Sequence, residues 1–243
     1  MALLEEFENQ GNFLFKLRSY IPIVILFGGL AVFYFYQSDP FANSFAWICF
    51  AVSSLGLAIR IFTVAYTPKN TSGRNTGEGQ VADTVNQTGM YSIVRHPLYL
   101  GNFLMYLGLA MLSQHLWFVI CFVCVFYLYY ERIMFAEEQF LRKKFGTKYT
   151  DWANSVPAFI PLLKTPNSPE LSFSWRKILK KEKNGLAAMC VLFYIFYAVS
   201  VYQSSSQNYF NSVWFYLAII STLIYFVLKF LKYNSSLLEE EGR

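Results

Sequence analysis

Long apolar runs alternate with short polar breaks along this chain, on the scale of the roughly 20 residues an α-helix needs to cross about 30 Å of hydrocarbon. The runs cover Tyr20–Tyr36, Phe45–Tyr66, Leu98–Leu112, Leu116–Tyr130, Leu186–Tyr202 and Tyr209–Leu231. The third and fourth are short, and only "SQH" at 113–115 separates them, which reads as a tight helical hairpin. The basic residues choose between span counts. Breaks 37–44, 113–115 and 203–208 contain no Lys or Arg. The 20 basic residues are Lys16 and Arg18 before the first run, Arg60 near the end of the second, and the rest in 67–97, 131–185 or from Lys229 onward. Six spans with both termini cytoplasmic keep every cation on one side; five or seven would split them. Glu5, Glu6 and Glu8 stand where a secretory signal has basic residues, and no small-residue cleavage site follows the first run, so that run is expected to remain as an anchor.

The polar segments differ in character. Loop 67–97 begins "TPKNTSGRNTGEGQ", a composition that predicts irregular structure, and its length of about thirty residues favours a functional loop over a connector. In 131–156, Leu141, Phe145, Tyr149, Trp152 and Val156 recur at three- and four-residue spacing. That predicts a cytoplasmic helix continuing the fourth span, bent or broken at Gly146 and ended by the prolines of "VPAFIP". Residues 175–183, "WRKILKKEK", set five cations beside Trp175, Ile178 and Leu179, as an interfacial segment does. No internal repeat is visible. The expectation is an all-α polytopic protein of about six transmembrane helices, one membrane domain over 1–243. Within it, 85–161 is a core, 162–184 a basic interfacial linker and 185–232 a C-terminal hairpin.

Composition agrees: 55% of the 243 residues are hydrophobic and 14% charged, which excludes an ordinary soluble domain. Cys49, Cys121, Cys124 and Cys190 all fall in predicted spans, where the CxxC at 121–124 reads as packing without His or acidic companions; no metal site is expected.

Candidate chemistry gathers at the cytoplasmic ends of the spans: Arg60, the Arg95–His96–Pro97 cluster, Tyr99 with Gly101, and the pair Glu137–Glu138. Each alone has an ordinary explanation, such as a snorkelling arginine or a helix-start histidine. Ionisable groups beside hydrocarbon are nonetheless costly and call for partners. Pro97 suits the first turn of a helix, where its missing N–H costs nothing, and the amides beside it could anchor an anion. Gly101 permits a close approach to the backbone.

In order, "GMYSIVRHPLYLGN" and "EEQFLRKKFGTKYTDWANSVPAFIP" resemble the integral membrane methyltransferases typified by isoprenylcysteine carboxyl methyltransferase and the phospholipid methyltransferases. The family pattern is RHPxYxG, a hydrophobic hairpin, EExxLxxxFGxxYxxY, a valine and a closing IP. Here Trp152 stands where a second tyrosine is usual. The resemblance implies a cytoplasmic-face site for S-adenosylmethionine (SAM) between the turn and the glutamates. His96, Pro97, Tyr99, Gly101, Glu137 and Glu138 would hold the cofactor, Arg95 and Glu138 would be catalytic, and Arg60 and Arg95 would meet the acceptor. It also implies a lipid or lipidated acceptor (carboxylate, phosphate or amine) entering from the bilayer. The membrane is then the partner and nucleic acid is not; oligomeric state is left open. Two rivals are an NADPH-dependent sterol-type reductase, against which the acidic pair argues, and a non-enzymatic transporter or scaffold, against which the one-sided polar clustering argues. A bacterial inner membrane is the expected location.

Overall fold

Each apolar run becomes a helix. The computed structural model describes residues 2–18, 20–37, 39–71, 74–76, 79–205 and 208–243. Among these, the helices are α1 (Leu3–Leu17), α2 (Ile21–Tyr36), α3 (Phe45–Ala65), α4 (Pro97–Met111), α5 (Leu116–Phe145), α6 (Thr147–Ser155), α7 (Trp175–Gln203) and α8 (Val213–Asn234). The chain is all-α apart from a small antiparallel pair, β1 (Arg74–Thr76) and β2 (Gly79–Val81), in the loop between α3 and α4. A 3-10 turn, Gly89–Ser92, follows it. The "TPKNTSGRNTGEGQ" loop, expected to be irregular, thus contains a strand pair; its residues 72–73 and 77–78 lie outside those described.

Four helices, α3, α5, α7 and α8, are long and apolar enough to cross a membrane, while α2 and α4 are apolar but shorter. Their outward faces keep large apolar side chains exposed, among them Leu116 and Trp117 on α5 and Phe226 on α8. Lipid, not water, suits such faces. The basic stretch at 175–183 differs from the expected linker: it forms the first turns of α7, continuous with the apolar part of that helix. Polar residues start the helices where the sequence changes character. Ser174 and Ser212 accept hydrogen bonds from the amides of Lys177 and Phe215, and His115 Nδ1 accepts one from the amide of Phe118. His115 therefore has a local capping task. Gly146, at φ 55°, ends α5 and opens α6, the expected break.

Two aromatic cores hold the bundle. One joins α2, α3, α4, α7 and α8 through Phe33, Cys49, Leu57, Leu109, Phe193 and Trp214. The other joins α1, α4 and α5 through Phe15, Tyr99, Phe126, Tyr130 and Ile133. Helix α3 packs closely on α4. A Cβ on Gly108 would collide with Ser53 Oγ and the Cys49 carbonyl, and one on Gly101 would meet Arg60 Cγ at 2.5 Å and the Gly56 carbonyl at 2.8 Å. Small residues in such rows let backbones touch where lipid supplies no hydrophobic drive. Ser53 uses the proximity to donate to the Met105 carbonyl at 2.8 Å.

Candidate active site

Pro97 starts α4 and holds Arg95 and His96 in the turn before it. Segment 157–162 runs alongside that turn: the amides of Arg95 and His96 donate to the carbonyls of Pro157 (2.8 Å) and Ala158 (3.1 Å), and the Leu162 amide donates to Ile93 (2.9 Å). The Tyr99 and Leu100 amides turn back to the His96 carbonyl. The amides of Arg95, His96, Tyr99 and Leu100 are thus engaged in holding the fold.

Glu137 and Glu138 are neighbours on α5 and leave the helix about 100° apart, so they address different partners. Glu138 accepts from Arg95 Nε at 2.9 Å and Nη2 at 3.3 Å, and its Oε1 lies 2.9 Å from His96 Nε2. Arg95 also donates through Nη1 to the carbonyls of Ala153 (2.5 Å) and Val156 (2.8 Å). The guanidinium thereby ties together the turn, α5 and the end of α6. Glu137 accepts from the Tyr99 hydroxyl at 2.9 Å and lies 3.6 Å from His96 Nδ1. The His96 ring, buried between the two carboxylates, lies nearly parallel to the Tyr99 ring, 5.5 Å centre to centre.

Beside this cluster opens a cavity of about 460 Å³. Small-molecule sites run from roughly 300 to 1,000 Å³. Its wall includes Arg60, Arg95, His96, Pro97, Tyr99 and Glu137, six of the eight residues singled out in the sequence. Glu138 and Gly101 are not in it. Glu138 is turned toward Arg95 and His96, and what approaches Gly101 is α3, through the stem of Arg60 and the Gly56 backbone. Arg60 does not snorkel: it forks onto both oxygens of buried Glu182 (2.8 and 2.9 Å) and donates to Asn102 at 2.6 Å.

Much of the rest of the wall went unnoticed in the sequence. Glu182 was the lone acid in a basic run, a signal that could have pointed to it. Lys177 and Lys181 lie on the same turns of α7, Arg18 follows α1, and Thr71, Thr84, Val85 and Asn86 come from the long loop. Tyr91, Tyr106, Tyr130 and Trp152 add aromatic faces. Burial pushes the Tyr91 phenol above its ordinary value and the charge of Glu137 adds to that, so it stays a hydrogen-bond donor at neutral pH. The buried indole N–H of Trp152 and the Tyr149 hydroxyl have no partner among the described residues. Also among those residues, no three His, Cys, Asp or Glu side chains gather as a metal site.

Residues 47–148 match the family model described as phospholipid methyltransferase, a range that takes in nearly all of α3 with Arg60, the first motif half, and the second as far as Lys148. The nickel-cobalt-cadmium resistance protein NccN of Alcaligenes xylosoxydans xylosoxydans is 31% identical over 120 residues, covering 48% of this chain and 53% of that protein. The cobalt-zinc-cadmium resistance protein CzcN of Cupriavidus metallidurans is 34% identical over 85 residues, 35% of this chain and 39% of that one. A protein-S-isoprenylcysteine O-methyltransferase of Schizosaccharomyces pombe is 35% identical over 75 residues, 31% of this chain and 32% of that one. The chain thus spans about half the length, or less, of the curated relatives it matches. With its four long apolar helices, it is an integral membrane protein. No solved structure matches it.

Proposed function

We propose that the chain, whose residues 47–148 match the phospholipid methyltransferase family model, is a SAM-dependent membrane methyltransferase acting on a lipid or lipidated acceptor at the cytoplasmic face. The observation that carries this reading is one cavity that joins Glu137 to the turn of Arg95, His96 and Pro97 and to the faces of Tyr99, Tyr130 and Trp152. SAM fits that wall: its cationic sulfonium and ammonium suit Glu137 and the faces of Tyr99, Tyr130 and Trp152, and its purine can stack there.

SAM bound here supplies a methyl group that leaves a sulfonium by in-line displacement, a reaction that needs alignment and exclusion of water more than acid–base help. Glu137 is the carboxylate that faces the cofactor. Tyr99 donates to its Oε2, His96 Nδ1 lies 3.6 Å from the same oxygen, and Pro97 fixes the turn that carries both residues. Glu138 and Arg95 act as a brace behind that wall, locking the turn to α5. Gly101 serves the site by letting α3 bring Arg60 in. Arg60, pinned by Glu182 and Asn102, marks the acceptor side with Arg18, Lys177 and Lys181. That side is rich in cations, which favours an anionic acceptor, a carboxylate or phosphate, over an amine. Such an acceptor is already ionised at neutral pH and requires no base. Six spans, both termini in the cytoplasm and a bacterial inner membrane complete the reading; the one-sided distribution of Lys and Arg supports the orientation.

The test is to incubate the purified chain, in lipid, with methyl-labelled SAM and extract the lipids. Label in a lipid fraction, lost with Glu137→Ala, is the expected result. Saturable NADPH binding with no SAM binding would replace this reading with a reductase.

A further inference from the structure

A second polar groove lies on the other side of the first turns of α7. It has a volume of about 340 Å³ and is walled by Lys69, Lys177, Lys180, Lys181, Lys232 and Arg243, with Glu240 as its acid. The residues after α8 fold back to form one side of it. The Lys69 amide donates to the Gly242 carbonyl at 2.9 Å, Ser174 donates to Glu240, and Arg243 donates to the Ala65 carbonyl (3.2 Å) and to Ser172 (3.3 Å).

Among the described lining residues, cations outnumber Glu240, which is itself engaged by Ser174 and by Arg243, 3.4 Å away. Lys177 is the telling one. Its side chain is buried, and its ammonium donates to the carbonyls of Thr67 and Pro68 and to the Thr67 hydroxyl, all neutral oxygens. Burying an ammonium without a carboxylate is costly, and neutral dipoles offset that only in part. A bound anion in the groove supplies the missing charge. The groove also sits where α3 and α8 end and α7 begins, at the boundary where lipid headgroups lie.

We propose that this groove is a second binding site, distinct from the catalytic cavity, for the phosphate group of an anionic lipid. The site is independent of the methyl-transfer reading. Its position gives it a route to the cavity all the same, because Lys177 and Lys181 line both. A phosphate held there draws the folded-back tail and the first turns of α7 together. Those turns carry Glu182, the partner of Arg60.

The test uses the full chain in a neutral detergent, titrated separately with phosphatidic acid and with inorganic phosphate, and read by native mass spectrometry and by melting temperature. Lys69 and Lys232 are exposed, line the groove and are absent from the catalytic cavity. The double variant Lys69→Gln/Lys232→Gln should therefore keep its fold and bind phosphatidic acid about thirtyfold more weakly, ~2 kcal/mol for two lysines near an anionic surface. Lys69→Arg/Lys232→Arg should retain binding. Saturable binding of phosphatidic acid alone assigns the site to a lipid headgroup. Equal binding of inorganic phosphate assigns it to the phosphate group whatever its source. Failure of both to bind, or unchanged binding by the glutamine pair, overturns the proposal.

Discussion

Adjacent glutamates with different partners make a sharp experiment. The Glu138 carboxylate accepts twice from Arg95 and lies within hydrogen-bond distance of His96, whereas glutamine in its place offers one acceptor oxygen and sets an NH₂ group against a guanidinium or an imidazole. Breaking a fully buried ion pair by removing one partner costs about 3–5 kcal/mol. Here the Arg95 and Glu138 side chains keep 19% and 17% of their surface exposed. Arg95 also retains the carbonyls of Ala153 and Val156. The expected loss for Glu138→Gln is therefore about 2–3 kcal/mol of stability, felt where α4, α5 and α6 meet. Glu137→Gln should behave differently. Its amide oxygen can still accept from Tyr99, so the fold persists, but the cavity loses the negative charge of Glu137 and SAM binding weakens about tenfold or more. Thermal unfolding in detergent micelles and calorimetric titration with SAM measure both effects. An early-melting Glu137→Gln beside a Glu138→Gln of parental stability and parental SAM affinity would refute the division between cavity wall and brace.

Other outcomes follow from the same geometry. Trp152→Phe keeps an aromatic ring on the cavity but removes a buried N–H that has no partner among the described residues; melting should hold steady or rise while the SAM dissociation constant changes by less than about twofold. Gly108→Ala drives a methyl group into Ser53 and the Cys49 carbonyl, and should lower stability by about 1–3 kcal/mol, seen as a lower denaturation midpoint, with no direct effect on the cavity. Glu182→Gln and Arg60→Gln should be non-additive in a double-mutant cycle of stability, with a coupling of about 0.5–3 kcal/mol; additivity would mean that the fork between them contributes nothing.

The apolar helices were legible because a span in lipid must satisfy its backbone internally, which forces a long run that any reading of hydropathy finds. The continuation of α5 past Tyr130 and its break at Gly146 were equally legible, from spacing and from glycine. Helix α1 was not: it is polar enough to leave no run, and it gains its place by packing on α5, where Phe7 meets Phe135 and Glu8 pairs with Lys143. At the site, the order of the two motif halves anticipated that Arg95, His96, Tyr99 and the glutamates meet. It could not assign which glutamate faces the cavity, since that depends on a rotation of α5 set by packing. Arg60 with Glu182 was invisible for a simpler reason: 122 residues separate them, and no local pattern links partners so distant. Gly101 was recognised as a point of close approach, but the sequence could not say that a helix would be what approaches.

The cavity draws its walls from two sources. One side is built by α3, α4 and α5, all of which fall largely within residues 47–148, and the facing side by α7, which begins beyond that range. On α7, Lys177 stands about one turn before the adjacent pair Lys181 and Glu182, so a change of side-chain length or sign there alters the cavity wall without touching the His96–Glu138 brace. A lineage could in this way reshape one wall of the cavity while leaving the opposite one alone.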